Sequence, residues 1–210
     1  MAANVAQAPL VSIAVPQSGP ARLVVQILLV IGGSLLLWLS ARAKVVLGPV
    51  DLSLQTLAVL LIAAAYGFRL GVSTLALYLA QGAAGLPVFQ STPEKGIGLA
   101  YMVGPTGGYL LGFLAMAAIV GWAVDRGWGS SIVKLLAAML VAEIVMMTMG
   151  FAWLAYVLGA AKAWEGGVPT YLALSWQYGV APFIVPDLIK VVLASLLVPA
   201  ATALIKGGGR

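Results

Sequence analysis

The chain has 210 residues, 62% of them hydrophobic and 8% charged, with no cysteine and no histidine. A mean hydropathy of +1.08 lies far outside the range of soluble domains, where about a quarter of residues are charged, so an integral membrane protein is expected. The missing residue types exclude disulfides, thiolate chemistry, and the commonest metal ligand and general base. The scattered net charge of +5 lacks the basic runs of a nucleic-acid-binding surface.

Residues 1–20 carry three prolines and no charged side chain, so they lack the basic start of a signal peptide, and 1–21 reads as a disordered tail. A spanning helix takes about 20 apolar residues. Six candidates follow within a single domain, 22–206: 23–41, 54–66, 70–84, 107–124, 132–158 and 180–205. Arg22 precedes the first, and Arg42 with Lys44 closes it. Only Gly67-Phe68-Arg69 separates the second from the third, which demands a very tight turn. Asp125-Arg126-Gly127 ends the fourth, the fifth is long enough to tilt, and a short tail, 207–210, follows the sixth. The expected fold is therefore all-α, a compact bundle of six transmembrane helices. No room is left for a soluble ATPase domain, and no internal repeat is visible, which counts against inverted-repeat secondary transporters.

The loops after spans one, three and five (47–53, 85–106 and 159–177) are rich in glycine, proline and polar residues, whereas those after spans two and four are brief. With six spans the long loops share one face. Arg22, Arg69, Arg126, Lys134, Lys206 and Arg210 border the short-loop face, and Arg42, Lys44, Lys95 and Lys162 the other. The positive-inside rule then puts both termini in the cytoplasm and the elaborate face outward.

Asp187 and Lys190 are three residues apart inside span six, a spacing that places both on one helix face. A charge near a bilayer centre costs ~2.5–3.5 kcal/mol on insertion scales, so neither should face lipid. They form either a structural ion pair or one wall of a pocket for a small polar ligand. Glu143, near the middle of span five, pairs with Lys134 or another cation, hydrogen-bonds between helices while protonated, or faces a partner subunit.

Four segments in order carry a resemblance: Gly48-Pro49-Val50-Asp51-Leu52-Ser53-Leu54-Gln55-Thr56; Gly85-Leu86-Pro87-Val88-Phe89; Gly104-Pro105-Thr106-Gly107-Gly108-Tyr109-Leu110-Leu111-Gly112-Phe113; and Pro182-Phe183 with Pro186-Asp187-Leu188-Ile189-Lys190. From Gly48 to the end of span six the chain resembles the substrate-binding subunit of biotin transporters, the BioY family of S-components of energy-coupling factor transporters. The resemblance implies a multi-pass protein of the bacterial cytoplasmic (inner) membrane with an outward-facing, loop-covered pocket for biotin. It implies a transmembrane coupling subunit and two cytoplasmic ATPases as partners. This chain would bind no cofactor, and its lack of G-x-x-x-x-G-K-[ST] agrees with ATP being used by those partners.

Biotin offers two ureido N–H donors, one ureido carbonyl, an apolar thioether ring and a carboxylate tail. Asp187 and Gln55 suit the N–H groups, and Lys190 suits the carbonyl or neutralises Asp187. Thr56 stands with Gln55 at a helix N-terminus suited to an anionic tail, or simply caps the helix. Phe89 and Gln90 belong to the longest loop, where the family places a polar ligand contact. Tyr109 is placed to close the pocket with ring and hydroxyl, and Trp153 to pack on the thioether ring; core packing, or an interfacial belt as for Trp164 and Trp176, is the competing account.

The chain departs from the family at Asp51, where a second proline is usual and an outward negative charge results, and at Ser53, where threonine is usual. Span one also lacks Ala-x-x-x-Ala, the small-residue pattern associated with docking of a coupling subunit, and has a compact Gly32-Gly33-Ser34 patch instead. The 85–108 segment, with six glycines and three prolines, has the composition of a lid that a ligand orders. A self-sufficient ion-coupled transporter using Asp187 and Glu143 is the alternative. An intramembrane enzyme would lack histidine, cysteine and any G-x-S-x-G elbow.

Overall fold

The computed structural model describes residues 9–160 and 168–207. Helix α1 (Pro20–Arg42) leads through two-residue strands β1 (Lys44–Val45) and β2 (Leu52–Ser53) to α2 (Gln55–Ala83), α3 (Gly98–Met102), α4 (Gly107–Asp125), α5 (Ile132–Ala160), α6 (Val168–Gly179) and α7 (Ile184–Gly207). Lys162 and Trp164 lie outside the described residues.

Among the described residues, five helices are long and apolar enough to cross a membrane, yet the chain crosses the bundle six times, because α2 is two helices joined at Gly67. There φ is 75° and ψ −174°, a combination that an L side chain resists. The chain folds back at that residue. Gln55 and Tyr78, about 34 Å apart along a straight helix at 1.5 Å per residue, are joined by a 2.7 Å hydrogen bond, and a methyl on Gly71 would sit 3.3 Å from the Ala63 Cα. Spans 54–66 and 70–84 are thus the two arms of a hairpin whose tight turn narrows to one glycine. The Asp125 carboxylate accepts from the Phe68 N–H at 3.2 Å and steadies the reversal.

Helix α4 is the most enclosed, packed between α2 and α5. A Cβ on Gly112 would lie 3.0 Å from the Met146 Cα, and one on Gly121 2.7 Å from the Gly67 and Phe68 backbone. Gly108 and Gly112 therefore serve close packing of α4 on α5, while Gly104 precedes the helix. Helix α1 is mostly lipid-facing and packs chiefly on α2, with Gly33, Ser34, Leu37 and Ala41 buried. Two members of its small patch are used inside the molecule, while Gly32 stays exposed: a Cβ on Gly33 would meet Thr74 at 2.7 Å, and the Ser34 hydroxyl donates to Gln81 at 2.5 Å.

Three expectations are corrected. Residues 10–13, assigned to a disordered tail, form a 3-10 turn that packs Leu10 against the core. The loop expected over 159–177 holds most of α6, which runs on to Gly179, and the sixth span starts at Ile184, after a turn at 180–183. Asp187 therefore lies in the first turn of α7, towards the end of the bundle that carries the long loops and not at mid-membrane.

Candidate functional site

At that end, residues from α2, α4, α5, α7 and the two long loops line a small cavity that is partly open to solvent. Lys190 anchors one wall. Its ammonium donates to the Asp187 carboxylate at 2.6 Å and to the Ser53 carbonyl at 2.7 Å, and both charged residues are buried. A carboxylate in the first turn of a helix is favoured by the helix dipole, and Pro186 fits there because a first-turn residue has no intrahelical N–H bond to lose. The ion pair and the lining occur together: Lys190 pairs with one oxygen of Asp187, and both residues face the cavity.

Gln55 and Thr56 open α2 and are buried beside the pair. The Tyr78 hydroxyl spends its proton on the Val88 carbonyl at 2.9 Å, so it can only accept from Gln55, whose amide nitrogen donates at 2.7 Å. This fixes the amide orientation. The Gln55 carbonyl remains free as an acceptor. Tyr109 lines the cavity with its ring, against Gly150, but its hydroxyl proton goes to the Gly179 carbonyl at 2.8 Å, so beyond the ring it offers a ligand an acceptor and no donor.

Residues 84–106 roof the site and are tied down by polar contacts from neighbouring segments. Arg42 donates to the Pro87 carbonyl at 2.6 Å and to the Thr92 carbonyl at 3.2 Å, and Lys44 to the Ser91 hydroxyl at 2.7 Å. The Gln90 side chain lines the cavity and donates to the Asp51 carbonyl at 3.0 Å. Asp51, expected to add an outward charge, is buried and compensated: Lys95 lies 2.8 Å away, Ser91 donates to the other oxygen, and the Leu47 N–H is 3.3 Å off. Burial opposes the charged form of Asp51, but these donors outweigh it and hold the carboxyl below the usual range. Tyr101, on α3, also faces the cavity, and burial pushes its phenol up to about 12, so it stays protonated.

Two expected contacts stand one layer back from the lining. Phe89 is buried between the edge of Tyr78, at 5.4 Å, and the stacked ring of Tyr101, at 5.1 Å, and so supports a wall that it does not form. Trp153 donates to the Gly104 carbonyl at 2.9 Å and packs on Gly107 and Gly108, bracing the start of α4. Trp176 is exposed, as a belt residue would be. Sequence reasoning missed Tyr101, Thr106, Phe113, Met146 and Phe183 among the lining residues; Tyr109 and Phe113, four apart on α4, carried the one periodic signal. Glu143 and Asp187 line one cleft between α5 and α7, and Lys134 is exposed at the far end of α5.

A bundle of membrane-crossing helices with a loop-roofed cavity, lined by apolar side chains and a few buried polar groups, is the form of a solute-capturing membrane component. The family model that matches residues 8–207 is the BioY family, and the chain belongs to that family. It is 33% identical to the probable biotin transporter BioY of Pyrococcus horikoshii over 75% of this chain and 83% of that protein. It is 34% identical to the biotin transporter BioY of Thermotoga maritima over 77% and 86%. In fold it matches a crystal structure of the S-component for biotin from an ECF-type ABC transporter, with a TM-score of 0.66 at 20% identity, covering 88% of this chain and 94% of that one.

Proposed function

We propose that this chain captures biotin at the outer membrane face as the substrate-binding component of an energy-coupling factor transporter. The observation that carries the reading is the gathering of one buried carboxylate–ammonium pair, two amides and a phenol around a single roofed cavity. Asp187 and the free Gln55 carbonyl accept from the ureido N–H groups, and Lys190 donates to the ureido carbonyl. Charge-assisted bonds of this kind contribute ~1.5–3 kcal/mol each. Tyr109, Phe113, Met146 and Phe183 supply the apolar surface for the thioether ring, and the carboxylate tail lies towards Thr106 and Gln90 beneath the roof. The protein makes and breaks no bond of its ligand.

The long loops face outward and both termini lie in the cytoplasm, by the excess of cations on the short-loop side. A coupling subunit and a pair of ATPases complete the transporter and use the ATP. Calorimetric titration of the purified chain in detergent tests the capture step: biotin binds in the nanomolar range, and Asp187→Asn and Lys190→Met each lose it. Absence of binding by a folded parent sample would sink the assignment. Biotin also orders residues 85–108, seen as slower hydrogen exchange there on saturation.

A further inference from the structure

Asp187 has a second neighbour that biotin capture does not use. Its Oδ1 is bound to Lys190, while Oδ2 has no hydrogen-bond partner among the described residues. Asp187 also lines a separate cleft between α5 and α7, together with Glu143, Thr148 and Ile184. Glu143 is only 7% exposed, and both of its carboxyl oxygens lack partners among the described residues. The two carboxyls line the same cleft, and among the described residues Lys190 is the one cation paired with either of them.

Among the described residues, no other element offsets the imbalance. Helix α2 brings Gln55 and Thr56, which are uncharged, and α4 brings Tyr109, whose proton is committed to Gly179. Helix α6 carries no carboxylate or amine, and Asp51 across the cavity is matched by Lys95. Two ionised carboxylates against one ammonium would leave a net negative charge buried in a membrane-embedded wall, which low polarity strongly disfavours. One further unit of positive charge completes the group.

We propose that Glu143 and Asp187 together hold one monovalent cation, H⁺ or Na⁺, and that its occupancy is linked to substrate binding because Asp187 serves both sites. With the cation in place, Lys190 is free to serve Asp187 and the ligand. Without it, the ammonium is shared between two carboxylates and the ligand meets a more repulsive wall. Linkage is reciprocal, so the ligand tightens the cation by the same factor.

The inference rests on the biotin reading, and its test separates the two. The full chain in detergent is titrated calorimetrically with biotin from pH 6 to 9 in choline chloride and again in NaCl at equal ionic strength. Protons exchanged on binding are counted from buffers of differing ionisation enthalpy. Affinity falls with rising pH, by up to about tenfold per pH unit for one linked proton. Relief of that fall by NaCl assigns Na⁺, whereas proton uptake unaffected by NaCl assigns H⁺. Glu143→Gln, neutral throughout, flattens the slope and removes the salt response. An affinity independent of both pH and Na⁺ with no proton exchanged, or a slope that survives in E143Q, overturns the proposal. The parent's proton count alone decides if E143Q does not fold, and failure of the folded parent to bind biotin at all overturns the functional reading instead.

Discussion

At the Gly67 end of the bundle, α4 presses glycine against the backbone of the α2 reversal, with Gly121 facing Gly67 and Phe68. At the cavity end, Arg42, Lys44, Lys95 and Gln90 hold loops through side-chain bonds to carbonyls, a hydroxyl and a carboxylate. The first end is held by close packing, which has no partial state: a methyl either fits or displaces backbone. The second is held by exchangeable polar contacts, each of which a ligand or water can replace at little net cost. A binding protein gains from this asymmetry, because one end keeps the helices in register while the contacts at the other can be exchanged.

The contrast can be broken most sharply at Lys190. Removing one partner of a buried ion pair costs about 3–5 kcal/mol, so Lys190→Met is expected to weaken biotin by a hundredfold or more in calorimetry and to lower the melting temperature as well. Gly121→Val attacks the opposite end. Overpacking costs about 1–3 kcal/mol, and the expected outcome is a lower melting temperature in detergent with biotin affinity of the folded fraction kept within about twofold. Weaker binding without lower stability would show that the ends are not independent.

Smaller effects sharpen the comparison. Trp153→Phe removes the bond to Gly104, ~0.5–1.5 kcal/mol, and should speed hydrogen exchange at 104–106 more than it lowers overall stability. Lys95→Met removes a half-exposed ion pair worth about 0.2–1 kcal/mol and should loosen residues 84–96 alone, read by limited proteolysis at neutral pH. The same contact predicts an acid response. Asp51 is depressed in the folded state, so its contribution is present above the unfolded value of about 3.9 and is lost as pH falls through the lower folded one. The parent roof should thus become protease-sensitive only in that acid window, and K95M should show a smaller further change there.

The six crossings were legible because the bilayer imposes a length on apolar runs, and because Gly67-Phe68-Arg69 left no room for a longer connection. Helix α6 was not. Its 12 residues are too few for a span and include proline, tyrosine, threonine, serine and a closing glycine, a composition shared with loops. In the site, Asp187, Lys190, Gln55, Thr56, Gln90 and Tyr109 were readable because a polar or amphipathic group in an apolar or loop setting is conspicuous. Phe89 and Trp153 show the limit: an aromatic beside a motif looks the same whether it forms a wall or braces one. The facing of Glu143 and Asp187 depends on how α5 meets α7, a tertiary fact with no local signal.

Helix α1 touches the rest of the bundle chiefly through α2, yet its last turn and the residues just beyond it grip the roof, through Arg42 to Pro87 and Thr92 and through Lys44 to Ser91. Sliding α1 along its axis by a single residue's rise, about 1.5 Å, would stretch those bonds beyond hydrogen-bonding range. The most lipid-exposed helix is thereby geared to the roof like a drawbolt, and whatever grips its outer surface gains a mechanical handle on the cavity without touching it.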